Sequence, residues 1–186
     1  KSAIADAWLI LTVAIHNLSL TEAVLPQLID NGGAVVILKE VIQRYKKERK
    51  QEISDEHCEL LCYTISKALC NMSCSLDNRK LMIKDGAVTI LKDIVDMKPR
   101  VEIQEICAAA IMNLTNPNPN NPSPEASFAL QRTAVTDGAV DALVSLVEKL
   151  ETSDGLSKVA VGLFELTACQ DNLQKMVRKN AHIALM

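Results

Sequence analysis

Aromatic side chains are scarce in this sequence: they make up 3% of its 186 residues, although 48% of the residues are hydrophobic. Most of the apolar content comes from Ala, Leu, Ile and Val. Sandwiches and barrels rely on β-branched and aromatic residues, whereas closely packed helices use small and aliphatic ones. The composition therefore argues against an all-β fold and favours helices packed on helices.

The sequence also lacks the features expected of a membrane-spanning or a nucleic-acid-binding protein. Its longest apolar stretch, Trp8 to Ile15, already contains Thr12 and falls well short of the roughly 18 residues of a membrane-spanning helix. The formal net charge is −3, from 20 basic and 23 acidic residues. Nucleic acid would need a clustered basic surface, which this balance does not indicate. We expect neither a membrane span nor a nucleic-acid partner.

Residues that carry chemistry are few. There are three histidines, and the sequence has no glycine-rich phosphate loop and no paired glycines of a dinucleotide site. Cys58, Cys62, Cys70 and Cys74 beside His57 have spacings that would suit zinc. However, these cysteines fall in an apolar helical pattern, where a free thiol behaves as a small hydrophobe. We expect no enzyme activity and no metal or other cofactor. We also expect a reducing compartment and a cytoplasmic location, with the cytoskeleton, the cilium and the nucleus left open.

Four segments align with one another without gaps. They are Leu9–Ser19 (LILTVAIHNLS), Tyr63–Ser73 (YTISKALCNMS), Glu105–Thr115 (EICAAAIMNLT) and Ser157–Thr167 (SKVAVGLFELT). One column of the alignment holds only small residues: Ala14, Ala68, Ala110 and Gly162. A second column holds three asparagines and one glutamate: Asn17, Asn71, Asn113 and Glu165. The last column holds hydroxyl residues: Ser19, Ser73, Thr115 and Thr167. Small residues let neighbouring helices approach closely. The asparagine and hydroxyl columns together form three Asn-x-Ser/Thr triplets, which begin at Asn17, Asn71 and Asn113. Such triplets are also the acceptor motif for N-glycosylation, but the repeat explains them without a glycan.

A second block follows each of the first three segments. It begins with Gly-Ala-Val at Gly33, Gly86 and Gly138, and a weaker copy begins at Asn180. Gly and Asn tolerate positive φ, so this position predicts a sharp turn between two helices. Apolar residues beyond it return at helical spacing.

The spacing of the copies indicates a solenoid. The asparagine column advances by 54, 42 and 52 residues (17 to 71, 71 to 113, 113 to 165), so the base unit is about 42 residues, within the range for helical repeats. The longer steps contain inserts, a charged one at 44–55 and a Pro/Asn-rich one at 116–124. Repeats that pack only on their neighbours tolerate such inserts.

At these residues the sequence resembles the armadillo repeat family, which includes the catenins and importin alpha. The resemblance covers essentially the whole chain and implies an all-α, right-handed α-solenoid of about four repeats over residues 1–186, partial at both ends. In that family a short first helix ends at Gly, a second follows the pattern G-a-i-x-x-L-v, and a third ends in A-l-x-N-l-s. The third helices would end at Ser19, Ser73, Thr115 and Thr167. The sequence opens in a third helix and stops in a second, so we expect the array to continue beyond both ends.

The resemblance also implies a concave groove lined by third helices. In the family the conserved asparagine holds the backbone of an extended peptide, a role that falls by column on Asn17, Asn71 and Asn113. The alternative that each asparagine caps its helix or bonds a neighbouring loop stays open. The candidate partner-binding residues are Asn17, Asn71, Asn113, Glu165, Val13, Lys67, Ala109, Val161, Thr64 and Lys158.

Importin alpha carries a tryptophan one turn before the asparagine, but Val13, Lys67, Ala109 and Val161 stand there in this sequence. An importin-like cargo adaptor is therefore disfavoured, and the groove would suit an apolar or weakly acidic segment. The leading hypothesis is a non-catalytic scaffold that binds partner proteins in this groove. The alternative is a structural component of a cytoskeletal or ciliary assembly that uses the convex face and the inserts. The basic run Arg44–Lys50 could contact an acidic partner such as a tubulin tail.

Overall fold

A computed structural model describes residues 2–30, 33–48, 55–116 and 124–184. All regular structure in these ranges is helical, which confirms the all-α prediction for the described residues. The helices are α1 (Ser2–Ser19), α2 (Leu25–Asp30), α3 (Ala34–Glu48), α4 (Asp55–Ser73), α5 (Leu76–Lys84), α6 (Ala87–Asp96), α7 (Val101–Thr115), α8 (Pro124–Thr136), α9 (Ala139–Val147), α10 (Ser153–Thr167), α11 (Gln170–Arg178) and α12 (Ala181–Ala184). A short 3-10 turn, Glu22–Val24, precedes α2.

Helices that lie three apart in the chain pack side by side. α1 contacts α4, α4 contacts α7, and α7 contacts α10, and we call these four helices row I. In the same way α2, α5, α8 and α11 form row II, and α3, α6, α9 and α12 form row III. The row I helices end at Ser19, Ser73, Thr115 and Thr167, the last residues of the four aligned segments.

The core lies between the rows and is built from the repeating columns. The small-residue column packs row I closely, and Ala68 and Ala110 are fully buried. The next column along the helix supplies Leu69, Ile111 and Leu163, each 0% exposed. Full burial of such a side chain stabilises the fold by roughly 1.5–3 kcal/mol relative to exposure. The repeat therefore marks the residues that hold neighbouring helices together.

Within the described ranges, a left-handed residue stands between the row II helix and the following row III helix at α5–α6, α8–α9 and α11–α12. Gly86 has φ 96°, Gly138 has φ 101° and Asn180 has φ 60°. Lys39 lies over Gly86 and Lys92 lies over Gly138. Gly33, at the corresponding position before α3, is not among the described residues with positive φ, and residues 31–32 of that predicted turn lie outside the described residues.

The two sequence inserts lie mostly outside the described residues. Of the insert at 44–55, the structure describes 44–48 within α3 and Asp55, the first residue of α4. Of the insert at 116–124, it describes Asn116 and Pro124, which is the first residue of α8.

Candidate partner-binding face

Row I brings most of the candidate residues to one series of positions on consecutive helices. Asn17, Asn71, Asn113 and Glu165 each stand two residues before the end of their helix, on α1, α4, α7 and α10 respectively. Asn17 is exposed, and the other three are half-buried. One turn earlier, Val13, Lys67 and Ala109 are half-buried and Val161 is 38% exposed. Side chains on neighbouring helices therefore share a face that solvent reaches.

Asn71 and Asn113 are each held by a hydroxyl of the preceding row I helix. The Asn71 side-chain amide donates from Nδ2 to Ser19 Oγ at 3.0 Å. The Asn113 Nδ2 donates to Ser73 Oγ at 3.1 Å and also approaches Cys74 Sγ at 3.8 Å. Each amide also has a carbonyl oxygen, and Asn71 has a second amide N–H; these groups have no other hydrogen-bond partner among the described residues, whereas Asn113 also directs Nδ2 at Cys74 Sγ. The asparagines therefore connect neighbouring helices and keep the capacity to donate and accept.

The hydroxyl column explains why Ser or Thr ends each row I helix. Ser19 Oγ donates to the His16 carbonyl at 2.6 Å, and Ser73 Oγ donates to the Cys70 carbonyl at 2.7 Å. A hydroxyl can donate once and still accept, so the same oxygen can receive the asparagine of the next helix. Ser19 and Ser73 are 3% and 0% exposed. All three Asn-x-Ser/Thr triplets thus contribute to this relay of hydrogen bonds, the first through Ser19, the second through Asn71 and Ser73, and the third through Asn113.

The relay stops at α10, where Glu165 replaces asparagine. An ionised carboxylate has no N–H or O–H to donate to the Thr115 hydroxyl. The Thr115 hydroxyl itself donates to the Ile111 carbonyl at 3.0 Å. The connection is made by Gln131 of α8. Its Nε2 donates to the Thr115 carbonyl at 3.3 Å and to the Glu165 carbonyl at 2.9 Å.

Arg79 of α5 makes the equivalent connection one unit earlier. Its Nε donates to the Ser73 carbonyl at 2.8 Å and its Nη1 donates to the Asn116 carbonyl at 3.1 Å. Arg79 and Gln131 both stand seven residues before the glycine of the turn, at Gly86 and Gly138. Sequence reasoning assigned neither residue a role. The signal available was this common register, since the residue types differ.

Thr64, one of the candidate groove residues, is not available to a partner. It is 4% exposed, and its hydroxyl lies 2.9 Å from that of Thr12 on α1. Because α1 and α4 pack closely, the Thr64 side chain faces α1 and not solvent. Thr64 therefore belongs to the α1–α4 contact.

The two lysines of the face have different surroundings. Lys67 Nζ lies 5.7 Å from the centre of the Tyr63 ring, within range of a cation–π interaction. Lys158 forms an ion pair with Asp154 one turn earlier on α10. Partial burial and the positive charge of Lys67 lower the pKa of His16. Since Lys67 has no acidic partner among the described residues, it is the more available cation.

Three thiols near this face, those of Cys62, Cys70 and Cys107, have raised pKa values. Burial and the neighbouring Cys74 raise the pKa of Cys70, although Lys67 and Lys158 oppose that shift. A hydrogen bond with Cys58 and burial raise the pKa of Cys62, and burial raises that of Cys107. A reactive cysteine needs a lowered pKa. Within the described ranges, no group of three or more His, Cys, Asp or Glu side chains could hold a metal ion.

The described part of the basic run is partly neutralised by the chain itself. Arg44 Nε lies 2.6 Å from Glu40 Oε1, and Lys46 Nζ lies 2.6 Å from Asp93 Oδ1 on α6. Residues 49–50 of the run lie outside the described residues. Lys47 is exposed, so the charge offered to an acidic partner by the described part of the run is smaller than the sequence suggests.

Comparisons of the chain with protein-family models, with curated proteins and with solved structures found no match. In the part of the chain that the structure describes, no single helix is long and apolar enough to cross a membrane. One bent pair, Ala3–Ser19 with Glu22–Asp30 at 108°, passes on length and composition alone.

Proposed function

We propose that the chain is an armadillo-type α-solenoid that acts as a non-catalytic protein-interaction module. A partner segment would lie in extended form across the row I helices. The observation that carries the proposal is the placement of Asn17, Asn71 and Asn113 at equivalent positions of consecutive helices.

The packing of helices supports the solenoid. Contacts recur between helices three apart in all three rows, as expected when a three-helix unit stacks on copies of itself. The hydrogen bonds recur with the same register, from Asn71 to Ser19 and from Asn113 to Ser73. Because two different levels of structure share one period, a coincidental alignment of segments is a poor explanation.

The state of the asparagine amides supports backbone recognition. A serine hydroxyl fixes one N–H of Asn71 and one of Asn113, which limits the rotamers of both side chains. The other N–H of Asn71 and the carbonyl oxygens of both side chains can pair with the C=O and N–H groups of an extended segment. Such pairing reads backbone and not side chains, and pre-organised groups lose less entropy on binding.

The neighbouring side chains favour an apolar or weakly acidic segment. Val13, Ala109 and Val161 supply apolar surface, and Lys67 supplies a cation without an acidic partner in the described chain. A basic segment would meet Lys67 and would find no tryptophan between whose rings a lysine could insert. The cargo-adaptor alternative therefore gains no support.

The test uses variants that separate binding from folding. Asn17 is exposed and makes no side-chain hydrogen bond among the described residues, so Asn17→Ala should leave stability unchanged. Affinity capture from cell extract with the wild-type chain, with Asn17→Ala and with Asn17→Ala/Lys67→Ala would identify partners that depend on the face. Gln43→Ala, an exposed position on α3, is the matched control.

A partner that is retained by wild type and Gln43→Ala but lost by the double variant supports the proposal. Helical content measured by circular dichroism must be equal in all four proteins. If every captured partner persists on the double variant, the row I face is not the binding surface. The structural-assembly alternative, which uses the convex face and the inserts, would then be the one to test.

A further inference from the structure

A cleft of about 410 Å³ opens between α5, the end of α7 and α8. Its volume lies within the range of ligand pockets in proteins, about 300–1,000 Å³. The apolar side chains of Leu76, Leu114 and Leu130 line it together with the cations of Arg79 and Lys80. None of the candidate residues of the row I face is part of its lining. The cleft is therefore a separate concave surface that combines apolar walls with positive charge.

The register of the row II helices shows how the cleft differs from its surroundings. Nine and eight residues before the left-handed residue of the following turn, α5 carries Asp77-Asn78, α11 carries Asp171-Asn172 and α8 carries Ala129-Leu130. On α5 and α11 the asparagine Nδ2 donates to the carbonyl six residues earlier, at 3.5 and 3.2 Å. α8 therefore departs from both helices, and it presents apolar side chains to the cleft where they carry an acid and an amide.

The acid at this position of α11 neutralises a cation of the preceding row II helix. Arg132 Nη1 on α8 lies 3.0 Å from Asp171 Oδ2 on α11. Lys80 of α5 stands in the position of Arg132, six residues before the residue of the turn, and Ala129 of α8 stands in the position of Asp171. Lys80 is exposed and forms no ion pair among the described residues. Lys80 therefore lacks the carboxylate that its counterpart has one unit later.

Arg79 brings a second cation to the cleft. Its Nε and Nη1 donate to the Ser73 and Asn116 carbonyls, and a guanidinium has five N–H groups, so the others can serve a ligand. Burial lowers the pKa of Arg79, but a guanidinium stays charged at neutral pH. Asp77 also lines the cleft, and in the described part of the chain it pairs with neither cation. Two cations and one acid leave the lining with a net positive charge.

We infer that this cleft binds a segment of a partner protein in which an aspartate or glutamate stands next to aliphatic side chains. The carboxylate would pair with Lys80 and Arg79, in the place that the acid of α11 takes beside Arg132. The aliphatic neighbours would contact Leu76 and Leu130. An exposed ion pair contributes little by itself, so burial of these apolar groups would supply much of the affinity.

The test uses two matched peptides, acetyl-Leu-Glu-Leu-amide and the neutral acetyl-Leu-Gln-Leu-amide. Each is titrated into the isotope-labelled whole chain at constant ionic strength, and NMR follows the backbone amide shifts. We expect the glutamate peptide to cause saturable shifts on α5, α8 and the last turn of α7. The glutamine peptide, which has no charge to pair with the two cations, should bind several-fold more weakly.

Three variants assign the binding to the cleft. Lys80→Ala should weaken binding of the glutamate peptide about two- to fivefold, the effect of losing one exposed ion pair. Ala129→Asp places a carboxylate where α11 has Asp171, so Lys80 would be paired within the chain and binding should weaken at least as much. Lys84→Ala is the matched control, because Lys84 is exposed on the same helix and does not line the cleft. All three positions are exposed, and the spectrum of each variant without peptide verifies its fold.

Equal affinity for the two peptides would overturn the inference, and so would the absence of saturable shifts. Equal affinity of the wild-type chain and Lys80→Ala would also overturn it. Shifts confined to the row I face would contradict this site while agreeing with the proposed function. Conversely, the Asn17→Ala/Lys67→Ala variant leaves the cleft intact, so its loss or retention of partners bears on the proposed function alone.

Discussion

The hydrogen bond from Asn71 to Ser19 offers a direct measurement of how row I is held together. Asn71 Nδ2 donates to Ser19 Oγ at 3.0 Å across the α1–α4 contact, and Ser19 in turn donates to the His16 carbonyl. The perturbation is a double-mutant cycle made of Asn71→Ala, Ser19→Ala and the double variant. Ser19→Ala also removes the bond to His16, but that loss is present in both arms of the cycle and cancels.

The expected coupling follows from the geometry. A neutral hydrogen bond contributes about 1 kcal/mol to stability, and about 0.5–1.5 kcal/mol is the usual range. Ser19 is 3% exposed, so water would not easily replace the lost partner. For a chain of this size, 1 kcal/mol corresponds to a melting-temperature change of about 2–4 °C. We therefore expect a coupling free energy near 1 kcal/mol.

Thermal unfolding followed by circular dichroism gives the four melting temperatures, and calorimetry gives the enthalpies that convert them. The cycle of Glu165→Ala with Thr115→Ala is the matched control, because the Glu165 carboxylate has no hydrogen-bond or ion-pair partner among the described residues. Its coupling should be close to zero. If the Asn71–Ser19 coupling is also zero, the relay does not hold the helices together.

Three further predictions concern the turn, a histidine and the thiols. Gly86→Ala should destabilise the fold by about 1–2 kcal/mol in chemical denaturation, because Gly86 has φ 96°. For Gly33→Ala the local geometry is permissive: Gly33 has no positive φ, and among the described residues an added Cβ would meet Leu28 O at 3.9 Å, an ordinary contact, so this variant should be neutral or slightly stabilising. The pKa of His16 is lowered in the folded chain, so its protonation favours unfolding. Stability should therefore fall as pH drops below about 6.5, and His16→Gln should reduce that loss in melting experiments at pH 7 and pH 5. Iodoacetamide followed by mass spectrometry should modify exposed Cys74 in the native chain and buried Cys107 only after denaturation, and equal rates would contradict the burial assigned to Cys107.

Features that depend on neighbours along the chain were predictable. A helix needs a periodic apolar face, and a left-handed turn needs a residue that tolerates it, so both leave a pattern in consecutive residues. The ends of α1, α4, α7 and α10 lie where the aligned segments end. The starts of α6 and α9 directly follow Gly86 and Gly138.

Features that depend on distant partners were not predictable. Thr64 and Lys67 lie one turn apart on α4, yet Thr64 is buried against Thr12 and Lys67 is half-buried beside Tyr63. Helical periodicity predicted that both side chains lie on the same face of α4. The close packing of α1 determines that Thr64 is buried and that Lys67 remains partly exposed to solvent.

By itself, the sequence determined that this chain is helical, where its repeating helices end, and which columns are apolar, small or hydrogen-bonding, because these properties are written in local spacing. Only the tertiary structure decided that Ser19 accepts a hydrogen bond from Asn71, that Arg79 and Gln131 bridge the ends of successive row I helices, and that Thr64 is buried against Thr12. Those outcomes join residues far apart in the chain, and their geometry arises only when whole helices pack.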